Sequence, residues 1–217
     1  MNELIFIFHI LFVVAATLLA LRLGKSSLIA FIALQGILAN LFVVKQMDLF
    51  GLQVTCSDVF AIGGILSLNL LQEYFGKEAA RTSVKISLFS LLVFALMSQL
   101  HLLYLPSAGD GAHVAFQTIF SSSLRIIFAS IGTFYLVQQF DVRFFGLLKG
   151  SLPVRVATSL VCSQLIDTVL FSFLGLYGIV ESVFDVILMS FAIKCLIIGA
   201  SSFFVAFSRR MIKNVPV

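Results

Sequence analysis

The chain has 217 residues, of which 60% are hydrophobic and 11% charged, with a mean hydropathy of +1.13. Soluble domains carry about 25% charged residues, so these values predict a polytopic membrane protein and leave no room for a soluble signalling or ATPase domain. The net charge of +4 calls for no nucleic-acid partner, because the topology of basic loops accounts for it.

Seven apolar runs follow in chain order: Leu4 to Leu21, Ser27 to Val44, Asp58 to Phe75, Val84 to Leu105, Ile119 to Val137, Val156 to Leu176 and Val183 to Phe207. Each is long enough to cross a bilayer as a helix. The first lacks the basic leader of a signal peptide and carries Glu3 instead, so it is read as a mature span, with His9 packing near the interface. The expected architecture is an all-α polytopic membrane protein, a compact bundle of seven transmembrane helices. Of the 14 Lys and Arg residues, eleven follow spans one, three, five and seven, for example Arg22, Lys77, Arg81, Arg143, Arg155 and Lys213. Lys45 alone sits in an opposite loop, and Arg125 and Lys194 lie within spans. Basic loops stay in the cytoplasm, which predicts a cytoplasmic C-terminus and an outside N-terminus in the cytoplasmic (inner) membrane.

The third run is the unusual one. Asn69, Gln72 and Glu73 fall on one helical face, and Asp58, three turns earlier, points the same way. Ionisable groups inside a membrane are costly unless they face a bundle interior or a wet cavity, so this stripe is a candidate substrate path. Span five adds the serine run Ser121 to Ser123, which can begin a helix, then Arg125, Ser130 and Gln138, with Asp141 expected to be solvated at its end. Span six adds Ser163, Gln164, Asp167 and Thr168 at helical spacing, and span seven adds Lys194. Buried charges should pair, which sets Asp58, Glu73 and Asp167 against Arg125 and Lys194 in an unspecified order. No Pro lies inside a span, so a broken helix would have to come from Gly63-Gly64 and is not expected.

Amides and carboxylates on facing helices suit a hydrogen-bonding, purine-like solute, and some of the 24 Phe rings could stack on it. The same groups could instead carry a proton or an ion. His9, His101 and His113 lie near span ends or in a loop, and no Ser-His or His-x-x-x-His arrangement occurs within the spans, so no enzyme is expected. Cys56, Cys162 and Cys195 are isolated, without metal-ligand or disulfide spacing, and neither metal nor cofactor is expected.

The segment NLLQEYFGKEAAR, Asn69 to Arg81, resembles the D-x-x-N-E-x-Y-G-x-x-x-A-R stretch of the VUT family of small bacterial membrane proteins, the queuosine-precursor transporters. Leu124 to Lys149, Arg155 to Phe171 and the Lys194 helix resemble further segments in the same order, so the resemblance runs from about Ser27 to the C-terminus. It implies a six-helix core, residues 27–217, preceded by an additional helix over residues 1–26. It also implies import of queuine or a simpler 7-deazaguanine base, used in tRNA modification. The substrate-binding residues it implies are Asn40, Asn69, Gln72, Glu73, Arg125, Ser130, Gln138, Gln164, Asp167 and Lys194. Glu73 and Asp167 would contact the base edge, Gln138 and Gln164 would complete its hydrogen bonds, and Arg125 and Lys194 would neutralise the carboxylates. The chain departs from the family in having Asn69 where an acid is usual and Gln72 where Asn is usual. The alternative reading is a substrate-capture subunit of an ATPase-energised vitamin or nucleobase uptake system; an energy-coupling partner or a homo-oligomer stays open.

Overall fold

The computed structural model describes residues 1–43, 45–121, 124–178 and 182–211. Ser122 and Ser123 of the serine run, and Lys213 of the basic C-terminal group, lie outside the described residues. Among the described residues eight α-helices form a bundle: α1 (Asn2–Leu23), α2 (Lys25–Phe42), α3 (Asp58–Phe75), α4 (Lys77–Leu102), α5 (His113–Phe120), α6 (Leu124–Phe145), α7 (Leu152–Phe171) and α8 (Val183–Met211). The chain is an all-α polytopic membrane protein. Helices α1, α2, α4 and α8 are long and apolar enough to cross a bilayer, as is α7 with the π-helical turn Ser172–Leu176 that prolongs it. Helices α5 and α6, meeting at a 59° bend, make a sixth such segment. Large apolar side chains such as Phe8, Phe12, Leu96, Phe128 and Leu188 are exposed, as expected where the solvent is lipid rather than water.

Helix α3 is too polar to pass the same apolarity test, for a reason visible in its position. Thirteen of its 18 residues are buried, including Asp58, Asn69 and Gln72. It touches α1, α2, α4, α6, α7 and α8, so its polar stripe is screened from lipid by the other helices. Gly63 allows this crowding, since a methyl group there would come within 2.5 Å of Val13 Cγ1 on α1. Thr17 on α1 and Ser67 on α3 also hydrogen bond at 3.2 Å. The Gly63-Gly64 pair is thus a packing surface, and α3 runs through it unbroken.

Two glycine corners join helices at one end of the bundle. Gly24 (φ 107°, ψ −176°) is the whole link from α1 to α2, and Gly76 (φ 87°, ψ 166°) the whole link from α3 to α4. That backbone region is essentially restricted to glycine. The connection between α2 and α3, read from the sequence only as a loop, folds as an antiparallel hairpin of β1 (Gln46–Leu49) and β2 (Leu52–Thr55). Its two-residue turn, Phe50 (φ 52°) and Gly51 (φ 78°), has positive φ at both positions, the turn that matches strand twist.

The broken helix not expected from the sequence occurs elsewhere than at Gly63-Gly64. Span five is bent where α5 meets α6, and α6 continues to Phe145, eight residues beyond the apolar run. A run of hydropathy marks what lipid requires, not where the helix stops, and Gln138 and Asp141 are consequently inside the bundle.

Candidate functional site

Polar side chains gather at two levels, here termed outer at the hairpin end of the bundle and inner at the end away from it. The outer level surrounds a cavity of about 420 Å³, within the range typical of small-molecule pockets. Lys194, midway along α8, donates from Nζ to Asp167 Oδ2 at 2.7 Å and to Thr168 Oγ1 at 3.0 Å, both on α7. Asp58 Oδ1, in the first turn of α3, lies 3.9 Å from the same ammonium. Side-chain exposure is 5% for Lys194 and 8% for Asp58 but 25% for Asp167, so Asp167 is the member most open to the cavity. An ammonium this buried requires such partners.

On the opposite wall, Ser130 of α6 donates to Asn40 Oδ1 of α2, and Asn40 Nδ2 donates to Gly36 O at 3.0 Å. Thr133 and Phe134 of α6 and Phe171 of α7 also line the cavity. The lining reaches Gln46 and Thr55 at the base of the hairpin, so the cavity lies on the hairpin side of the bundle. The hairpin is tied to the start of α1: Asn2 Nδ2 donates to Asp48 O at 2.9 Å, and the Phe50 N–H points to Glu3 Oε1 at 3.5 Å.

The inner level is cross-linked by polar contacts between helices. Arg155 pairs with Glu73 at 2.7 Å, with its guanidinium 4.4 Å above the Phe145 ring. Gln72 Nε2 donates to Val142 O at 3.0 Å. Asp141 Oδ1 accepts from Ser159 (2.6 Å) and Ser163 (2.8 Å), both on α7. Tyr74 and Ser208 join α3 to α8 through their hydroxyls at 2.8 Å. Asn69, Gln138 and Gln164 are fully buried. Neither polar atom of Asn69 or Gln138, nor Gln164 Oε1, has a hydrogen-bond partner among the described residues. Such groups are rare in folded proteins because each carries a desolvation cost.

Of the ten residues implied by the resemblance, Asn40, Ser130, Asp167 and Lys194 line the cavity. Asn69, Gln72, Glu73, Gln138 and Gln164 do not; they belong to the inner level, and Glu73 and Asp167 therefore stand in different places. Arg125 is exposed and neutralises no carboxylate among the described residues. Its Nε donates to Leu174 O at 2.8 Å, and Nη2 points to Phe173 O at 3.5 Å. Those carbonyls belong to the π-helical turn, whose wider winding disturbs the regular hydrogen-bond ladder, so Arg125 anchors that turn. Asp141 is a second correction. It is fully buried rather than solvated, because α6 carries it past the apolar run and two α7 serines receive it.

Asp58 and Thr168 were visible as polar-face residues but not as partners of one lysine. The hairpin was missed altogether, although alternation around Phe50-Gly51 was the available signal.

A polytopic membrane protein with a polar, charge-lined cavity enclosed by its helices is the class that this fold and site define. The family described as "Putative vitamin uptake transporter" matches residues 55–207, and the chain belongs to it. The match covers α3 to α7 and most of α8 and leaves α1, α2 and most of the hairpin outside, a shorter reach than the resemblance from Ser27 suggested. A "Probable queuosine precursor transporter" of Bacillus subtilis (strain 168) is 32% identical over 163 residues, covering 71% of each chain. No solved structure matches significantly.

Proposed function

We propose that this chain imports a queuosine precursor, queuine or a simpler 7-deazaguanine base, across the cytoplasmic membrane. The observation that carries this reading is the cavity of about 420 Å³ edged by Asp167, Asn40, Ser130 and two Phe rings, in a chain 32% identical to a protein bearing that name. A carboxylate can accept both donors of a guanine-like edge, an amide or hydroxyl can meet the neighbouring acceptor, and aromatic faces can hold the ring. Neither the family description nor the relative's name is that of a capture subunit.

In this reading all seven segments cross the membrane, α3 included, with α1 (within residues 1–26) added to a six-helix core over 27–217. The basic loops place the C-terminus in the cytoplasm and the N-terminus outside, so the cavity faces outward. Asp167, Asn40 and Ser130 contact the base, and Lys194 holds Asp167 in position. The buried amides of Asn69, Gln72, Gln138 and Gln164 serve the inward half of the path after the bundle rearranges, with Glu73 and Arg155 closing it in the outward state.

Uptake of radiolabelled queuine and its nitrile and aminomethyl precursors, by cells expressing this chain but lacking their own transporter, tests the proposal. One or more bases should accumulate, and Asp167→Ala should abolish uptake while the protein stays in the membrane. Normal uptake by that variant would remove Asp167 from the site.

A further inference from the structure

The charges around the cavity do not balance. Among the described residues lining it, Asp58 and Asp167 bring two carboxylates and Lys194 the one cation. The ammonium is committed to Asp167 at 2.7 Å and Thr168 at 3.0 Å, whereas Asp58 stands at 3.9 Å, beyond hydrogen-bond reach. The lining therefore carries one negative charge in excess, with Asp58 the carboxylate that the ammonium holds less closely. Little water reaches it, since the Asp58 side chain is 8% exposed, and a poorly hydrated anion gains most from a cation placed beside it.

Two further features favour a cation with a polar, aromatic body. Thr133, 1% exposed, lines the same cavity, and its hydroxyl has no hydrogen-bond partner among the described residues. Phe134 and Phe171 add aromatic faces, which attract cations. Asp58 opens α3 immediately after Ser57 and Thr55, at the hairpin end of the cavity. A charged arm reaching it would lie toward the hairpin end of the cavity.

We propose that Asp58 makes this transporter charge-selective, favouring 7-deazaguanines whose side arm carries a protonated amine over those with an uncharged arm such as a nitrile. This rests on the uptake reading above and narrows its substrate class. With the amine docked, two carboxylates face two ammonium groups and the cavity is neutral. An uncharged arm leaves Asp58 uncompensated.

The test is parallel and competitive uptake of the aminomethyl and nitrile bases by cells expressing the wild-type chain, Asp58→Asn or Asp58→Glu, with membrane levels measured for each. The wild type should favour the aminomethyl base by on the order of tenfold or more. Asp58→Asn should bring the ratio close to unity, and Asp58→Glu should keep the preference. Comparable uptake of both bases by the wild type, or a preference surviving Asp58→Asn, overturns charge selection while leaving the uptake reading intact. Absence of uptake for every base overturns both. If Asp58→Asn does not reach the membrane, the wild-type ratio together with Asp58→Glu decides.

Discussion

The outer and inner halves of the bundle use the same chemistry to opposite ends. Both place carboxylates and a cation on α3, α7 or a neighbouring helix, and both rest on polar residues at helical spacing. In the outer half the charges edge an open cavity: Lys194 reaches Asp167 and Thr168, and Asp58 is left at 3.9 Å. In the inner half Glu73 is held by Arg155, Gln72 by the α6 backbone, and Asp141 by two serines. The contrast shows that residue type does not distinguish a site from a seal; what differs is that the outer charges line a cavity, whereas Glu73 and Asp141 are held by partners on neighbouring helices. On the uptake reading, that asymmetry is a path open at one end and shut at the other.

The strongest way to break the comparison is at the outer cluster. Lys194→Ala leaves the buried Asp58 and the partly buried Asp167 without their cation, and removing one partner of a buried pair typically costs about 3–5 kcal/mol. The variant should lose both uptake and thermal stability in detergent, and adding Asp167→Asn should recover part of the stability but no uptake. Stability unchanged by Lys194→Ala would mean that the cluster is hydrated well enough not to need the ammonium.

A smaller effect is expected in the inner half. Asp141→Ala deletes two buried hydrogen bonds, at roughly 1–1.5 kcal/mol each, so unfolding should come earlier by about 2–3 kcal/mol. Asp141→Asn keeps an acceptor for Ser159 and Ser163 and should restore most of the loss. If Asn proved as damaging as Ala, charge rather than hydrogen bonding would be holding α6 to α7.

What could be read from the sequence divides along the same line. Helix α3 has the bounds of its apolar run, Asp58 to Phe75, and the faces of α3 and α7 follow from i, i+3, i+4 spacing. Helices α4 and α6 overrun their apolar segments, by seven residues at the start of α4 (Lys77) and eight at the end of α6 (Phe145), because charged turns continue a helix that hydropathy no longer marks. Spacing gives a residue's face but not the neighbour which that face meets. Hence spacing allows several pairings besides Lys194 with Asp167, and it cannot show that Arg125 meets backbone carbonyls or that Glu73 meets Arg155. The hairpin escaped because its strands are four residues each, too short for alternation to stand out.

The smallest change in stability is expected where the inner half is pinned by charge. Glu73 and Arg155 keep side-chain exposures of 25% and 19%, so water offsets part of what Glu73→Gln removes, and the loss should stay near the 0–1 kcal/mol of a partly solvated pair. The guanidinium retains its place above Phe145, which limits any local collapse. Conformation should respond more than stability. If this pair helps to close the inner half, a cysteine at Gly146, beside Gln72 Nε2, in a chain whose Cys56, Cys162 and Cys195 are replaced by serine, should react faster with a thiol reagent supplied from the cytoplasmic side when Glu73→Gln is present. The same reagent supplied from outside should show the reverse for a cysteine at Ser130, because opening one end disfavours the other. Unchanged reactivity at both positions would reduce Glu73–Arg155 to a packing contact and leave Asp141 and its serines as the inner half's principal fastening.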